Sequence, residues 1–465
     1  MRHTDGKCRC SGGARGQGSG FRDQEPAHRA SGVPVACDRF HTPGPAPASS
    51  GRQAGPSESC GRPQALQRRS ASVGGSVVAG TASPAPLAHR VRLIWLALAL
   101  ALALPGASIR AADADSATLP LSLRLEAQAS LGMAGSWLLE RQLDNGSWAN
   151  HPVITSLAAL ALANAPTAER NDSQAALGKA LNFIVSQARP DGGIWNRESQ
   201  QYPLYSTAIS LLALVRVNRP GDDAVLRRGR EYLLKAQLAT RLALAASDGG
   251  FSSGNGRPPN LTESQWAIEL LYLTDGLDRL SAESAPAAAE RTAATYTLAA
   301  AYIGRCQVPL DAPDAERRGS FLDQPGEPNA GTPTPTPGTR RSPAFLTAIG
   351  LKSLLYARVP GNDPRSQAAL RWLAANASLQ SNGDLGEAGY YTYLYSLAKC
   401  LRALETAGAD IEAAGIHRWR ERLVREILRR QNGFGTWRQT GTDWWENRPE
   451  LVTAYAMLAL EAALL

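Results

Sequence analysis

The chain has 465 residues, 43% of them hydrophobic, and a formal net charge of +8 at pH 7. The excess charge sits at the start: residues 1–114 hold 14 basic and 6 acidic residues, and residues 115–465 hold 35 of each. A neutral body this long can bury a sizeable core, gives no basic footprint for nucleic acid, and with only Cys306 and Cys400 left in it cannot rest on a disulfide framework.

Residues 1–88 are rich in Gly, Pro, Ser, Ala and Arg and contain no periodic apolar run. Such a segment cannot bury enough apolar surface to offset its ordering entropy. It is expected to be disordered, or to lie upstream of the true start of translation. Residues 89–114 read as a secretory signal peptide. They combine the basic flank Arg90-Val91-Arg92, the apolar run Leu93 to Leu104, and small residues at Ala107, Ala111 and Ala112. The run is shorter than the roughly 20 residues a spanning helix needs; a short membrane anchor is the alternative. No Met lies between Met1 and Met133, so a non-Met start near Val91 fits this placement. The expected product is secreted or periplasmic and has no stable membrane span after cleavage.

From residue 119 to 465 one unit recurs: an amphipathic helix, a Gln near its end, a Gly-rich turn closing on an aromatic, a polar loop, and an apolar helix. The first copy has Gln142, Asn145-Gly146-Ser147-Trp148 and Thr155 to Leu160. The second has Gln187, Asp191-Gly192-Gly193-Ile194-Trp195 and Ser206 to Leu212; the third has Gln237, Asp248-Gly249-Gly250-Phe251 and Gln265 to Leu270. The fourth has Gln307, Gly319-Ser320-Phe321 and Thr347 to Leu351. The fifth keeps Trp372-Leu373 and the helix Tyr391 to Leu401, with Asn376 where Gln is expected. The sixth restores the pattern with Gln431, Gly433-Phe434-Gly435-Thr436-Trp437 and Val452 to Leu458.

The two helix types differ. In the first helix of copy two, Leu177, Ala180, Leu181 and Ile184 form one stripe while Lys179, Asn182 and Ser186 face away, which suits an outer helix with a wet face. In copy six Glu421/Arg425 and Glu426/Arg430 stand at i,i+4 spacing on such a face. The second helices are apolar nearly all round and are expected to be buried. No period-two alternation competes for strand. The fold class is all-α: a six-hairpin (α/α)6 toroid of two concentric helix rings, closed by the last inner helix against the first, near Val153 to Leu162. The Gln amide is expected to serve orphan backbone groups at its own helix end, beneath the turn aromatic.

These motifs resemble the QW-type repeats of squalene/hopene cyclases and the related repeats of protein prenyltransferases, the terpenoid cyclase/prenyltransferase superfamily. The resemblance covers about residues 120–465. It implies a central cavity ringed by inner helices, with ligand near the converging inner-helix N-termini. The catalytic motifs do not carry over. There is no Asp-x-Asp-Asp acid motif, and Cys306 lacks the Asp two residues before it that the prenyltransferase zinc site requires. The Asp-rich magnesium motif and the Gly-Cys-Gly-Glu-Gln thioester are also missing. No set of three zinc ligands is visible, so no metal or other cofactor is expected.

Candidate site residues therefore lie at inner-helix starts. They are His151 and Thr155; Tyr205 and Thr207; Glu263, Gln265 and Trp266; Tyr390, Tyr391, Tyr393 and Tyr395; and Asp443, Trp444, Trp445 and Glu446. Glu263, Asp443 and Glu446 are the catalytic candidates. His151, Tyr205, Gln265, Trp266, Tyr390, Tyr391, Tyr393, Trp444 and Trp445 are the ligand-binding ones. Each has a plainer role open to it: Glu263 as a helix N-terminal acid, His151 as a loop residue. The four tyrosines within six residues exceed the needs of packing, and buried Tyr wants a hydroxyl partner. Three functions follow: binding or modification of an apolar isoprenoid-like ligand in the cavity, polysaccharide hydrolysis or lysis by the mouth carboxylates, or a non-enzymatic interaction scaffold. The partner is accordingly a small-molecule or glycan ligand. The Pro-rich run Thr332 to Pro337, within 311–343, reads as a surface loop or flap.

Overall fold

The computed structural model describes residues 119–238, 246–254, 256–279, 285–326, 342–439, 441 and 443–465. Residues 1–118, with the upstream segment and signal peptide expected there, lie outside the described residues, as does the Thr332 to Pro337 run. Among the described residues all long elements are helices, and no strand forms. The six outer helices are α1 Leu121–Glu140, α3 Asn171–Ser186, α5 Asp223–Ala236, α7 Ala285–Cys306, α9 Pro364–Asn376 and α11 Trp419–Arg429. The six inner ones are α2 Pro152–Asn164, α4 Pro203–Val217, α6 Leu261–Leu273, α8 Pro343–Tyr356, α10 Tyr390–Thr406 and α12 Pro449–Leu464.

The inner helices begin where the sequence makes starting easy. Proline opens α2, α4, α8 and α12, where its missing N–H would be unsatisfied anyway. Asn260 accepts from Glu263 N at 2.7 Å and Ser342 from Phe345 N at 3.1 Å, capping α6 and α8. The inner helices are buried on nearly every side: Pro152 to Leu162 in α2 and Leu451 to Ala463 in α12 are continuous buried runs. Each inner helix packs on the next, α2 on α4, α4 on α6, α6 on α8, α8 on α10 and α10 on α12. Helix α12 then packs on α2, and outer helix α11 packs on α1.

Contrary to expectation, the recurring Gln does not serve its own helix end; its amide N–H groups reach the following turn and the next outer helix. Gln142 donates to Gly146 O in its own turn at 2.9 Å and to Ala176 O of α3 at 2.8 Å. Gln237 bridges Gly249 O and Thr295 O of α7, and Gln307 bridges Gly319 O and Arg365 O of α9, all at 2.9 to 3.1 Å. Gln431 joins Gly435 O at 2.8 Å to Ser130 O of α1 at 3.3 Å. Each of these side chains ties a turn to the next outer helix. Gln187 departs from the pattern and meets Ser186 Oγ instead.

A second repeated bond escaped the sequence reading. The backbone N–H of the buried turn residue donates to a hydroxyl early in the inner helix: Trp148 to Thr155, Ile194 to Thr207, Phe251 to Ser264, Phe321 to Thr347 and Trp437 to Thr453, at 2.8 to 3.4 Å. Thr155 and Thr207 are thus staples for the turn. In copy two the buried position belongs to Ile194; Trp195 lies outside it with the Arg189 guanidinium 3.9 Å from its ring centroid. The Glu421–Arg425 and Glu426–Arg430 pairs form, at 3.0 and 2.7 Å. Glu426 is nevertheless buried, because Arg430 turns inward over Tyr390, 4.1 Å from its ring centroid.

Candidate functional site

At the inner-helix N-termini the expected site residues come together, and they mostly satisfy one another. His151 caps α2: its Nδ1 accepts from Val153 N at 3.2 Å, which leaves the proton on Nε2, a buried atom without a hydrogen-bond partner. The Trp445 ring meets the imidazole edge-on, centroids 4.4 Å apart, and also faces Tyr202 at 6.2 Å. Burial, aided by Arg448, pulls the imidazole down to about 4, so it is neutral near pH 7. Trp444 lies beside Phe345, ring centroids 5.9 Å apart, and closes over Gly389. Both tryptophans adopt left-handed backbone angles, φ 57° and 61°, strained for such bulky residues.

The acids here are held by hydrogen bonds. Glu446 is buried and accepts from Gly389 N at 2.8 Å. Glu263 accepts from Ser253 Oγ and, at 3.4 Å, from Asn260 Nδ2, while burial pushes its carboxyl above the usual range. The backbone of Asp443 lies in the 3-10 turn Asp443–Trp445; its side chain is outside the described residues. Three of the tyrosines serve packing: Tyr390 donates to Leu379 O at 2.6 Å, Tyr393 to Ser378 O at 2.8 Å, and Tyr391 packs edge-on against Tyr390 at 5.0 Å. Gln265 is buried with neither amide atom hydrogen-bonded.

Midway along the inner helices runs a layer of aromatic rings. Tyr205 of α4 and Tyr455 of α12 share a hydroxyl–hydroxyl bond of 2.7 Å. Tyr395 of α10 stands 5.9 Å from Tyr455 and stacks on Trp266 of α6 at 6.3 Å, and Trp266 meets Tyr205 at 5.8 Å. Tyr205 and Trp266, both expected at the site, belong to this layer.

Beyond that layer the C-terminal halves of all six inner helices surround a cavity of about 1220 Å³. Leu160, Leu212, Leu355, Leu458 and the rings of Tyr272, Tyr356 and Tyr395 line it, interrupted by Arg216, Glu269, Lys399, Arg402 and Glu461. Glu269 is fully buried and takes two lysines: Lys352 Nζ at 2.7 Å from Oε2, and Lys399 Nζ on Oε1. Burial lowers both amines to about 7. Lys352 also lies 5.0 Å from the Trp266 ring centroid, a cation–π distance. Glu461 is buried, with Asn164 and Arg216 beside it. Burial holds its carboxyl well above the carboxylate range, against the pull of Asn164 and Arg216. A carboxyl shifted in that direction holds its proton to higher pH than usual, and while protonated it can donate a hydrogen bond.

Glu269, Lys352, Lys399 and Glu461 were not expected, because they lie in the C-terminal halves of the inner helices rather than at their starts. Their signal was nevertheless present: each is a charged residue among mostly apolar neighbours on its helix. Tyr391, Tyr395 and Lys399 also stand four residues apart, on one face of α10.

Among the described residues no group of three or more His, Cys, Asp or Glu could hold a metal ion, and Cys306 and Cys400 are buried and unbridged. No described helix is long and apolar enough to cross a membrane. No family model and no curated protein matches the chain. Solved structures do. A protein from Actinoplanes is 18% identical, with 73% of this chain and 98% of that one covered and a TM-score of 0.42. The type II terpene cyclase MstE from Scytonema, in its apo form, is 15% identical over 74% of this chain and 99% of its own, with a TM-score of 0.45. A variant of MstE in complex with geranylgeranyl dihydroxybenzoate is 15% identical over the same shares, with a TM-score of 0.47.

Proposed function

We propose that residues 119–465 form a six-hairpin α/α-toroid that binds a small amphipathic ligand, apolar and isoprenoid-like along its body, in the cavity at the inner-helix C-termini. The observation that carries this is the cavity itself: about 1220 Å³, lined from all six inner helices, apolar-walled, with charged groups set in the wall. Ligand sites are concave and mostly apolar, with a few placed polar groups. The closed packing order, α12 on α2 and α11 on α1, supports the toroid. The missing acid motif supports a protein that is not a standard cyclase, and the 89–114 segment supports export.

The apolar body lies against the leucines and tyrosines. Its polar end reaches Lys399, Arg402 or Arg216, or lies against the Glu461 carboxyl. The aromatic layer closes the floor, and the Trp444–Trp445 turn closes the opposite face. Entry is therefore from the C-terminal side.

Calorimetric titration with farnesol and citronellol tests the reading. Both should bind the full chain and raise its melting temperature, and Val215→Trp, which places an indole in the cavity wall, should weaken binding about tenfold or more. Absence of binding, or equal binding to Val215→Trp, would overturn the site.

A further inference from the structure

Two amines share one carboxylate at the cavity, and polar contact with a ligand leaves the nucleophilicity of both unused. We propose that Lys399 captures a carbonyl ligand, an aldehyde or ketone on an apolar chain, as an imine. This rests on the cavity being the ligand site.

The geometry selects Lys399. Lys352 is enclosed, its side chain 1% exposed, whereas Lys399 keeps 20% of its side chain open and lines the cavity. Both ammonium groups lean on Glu269, and a single carboxylate can balance only one positive charge. Inside a dry wall the second cation is disfavoured by burial and by its like neighbour. Both amines hydrogen-bond Glu269, and only Lys399 is open to the cavity. With its amine lowered to about 7, a share of Lys399 is unprotonated near neutral pH and carries a lone pair. A desolvated lysine beside another cation is an activated amine nucleophile. The charged groups around it are Glu269 on α6, Lys352 on α8, Arg402 on its own α10, and, across the cavity, Arg216 on α4 and Glu461 on α12.

The chemistry balances without a redox partner. Nζ forms a bond to the carbonyl carbon as the C=O π pair moves onto oxygen. Two protons pass from Nζ by way of Glu269 to that oxygen, which leaves as water. The imine nitrogen then takes a proton from solvent, and its charge stands beside Glu269 where the ammonium stood. Tyr272, Tyr356 and Tyr395 narrow the access of water that would reverse the step.

The test uses citronellal with cyanoborohydride on the full chain at neutral pH, followed by peptide mapping. Lys179 and Lys235 serve as internal references, Lys235 being well exposed at 69% of its side chain. A reduced adduct on Lys399, forming about tenfold faster than on Lys235 and suppressed by citronellol, supports the proposal. Lys399→Arg should lose the adduct while keeping a cooperative melting transition. Should that variant not fold, the mapping of the unaltered chain decides by itself. Citronellol binding without a preferred adduct on Lys399 overturns the imine and leaves the cavity reading standing. Neither binding nor adduct overturns both.

Discussion

His151 shows how a single buried residue can carry a pH response. Its ring is buried behind Trp445, accepts one backbone hydrogen bond, and titrates at about 4 in the folded protein. In the unfolded chain the ordinary value is near 6.5. The folded state therefore resists protonation, and the stability present above pH 6.5 is lost as pH falls from there to about 4. The full loss is about 3 kcal/mol. Urea midpoints measured between pH 7 and 4 should fall accordingly, and His151→Asn, which keeps an N-cap acceptor, should flatten that part of the profile. An unchanged slope in the variant would place the titration elsewhere. His151 was legible as a polar residue at an inner-helix start, but its burial was not, because the ring that covers it comes from the other end of the sequence. The buried charges were legible for the opposite reason. Glu269, Lys352, Lys399 and Glu461 each stand among mostly apolar residues of an inner helix, and a buried charge needs a partner or a cavity wall.

Between residue and whole molecule, the turn after each outer helix sets how closely consecutive hairpins approach. At Gly249 the backbone has φ +86°, and an added Cβ would stand 2.1 Å from Leu298 O of α7. Gly221 has a similar φ of +96° but open space around it. Gly249→Ala should cost about 3 kcal/mol, since the backbone of α7 has to retreat, and Gly221→Ala about 1 kcal/mol from φ alone. Equal costs in denaturant melts would show that contact with α7 does not matter. The recurrence of Gln, Gly and aromatic was enough to find the hairpins, because each motif is local. The partners of the Gln amide were not: Ala176, Thr295, Arg365 and Ser130 contribute only carbonyls, which leave no mark on residue identity. The hydroxyl staples were more accessible. Thr155, Thr207, Ser264, Thr347 and Thr453 each fall in the early turns of an apolar helix, where a hydroxyl needs a specific partner.

Across the whole described region, the bond from Gln431 to Ser130 O repeats between last and first hairpins what Gln142, Gln237 and Gln307 do between successive ones. Gln431→Leu removes two partly buried hydrogen bonds and should cost about 2 kcal/mol. Gln187→Leu, at the position whose amide reaches only Ser186, should cost less than about 0.5 kcal/mol. If the two variants melt alike, the amide bridges are not what joins the hairpins.

The same bridge bears on the order of assembly. Its partners are 301 residues apart in the sequence. Helices α1 and α2 are synthesised first, yet gain their second flank only when α11 and α12 arrive. Until then the faces of α1 and α2 that α11 and α12 cover in the folded protein stand as an uncovered edge, and contacts over so long a span are costly to close. A chaperone that shields such an edge would act on α1 and α2, and its hold would end when the sixth hairpin docks.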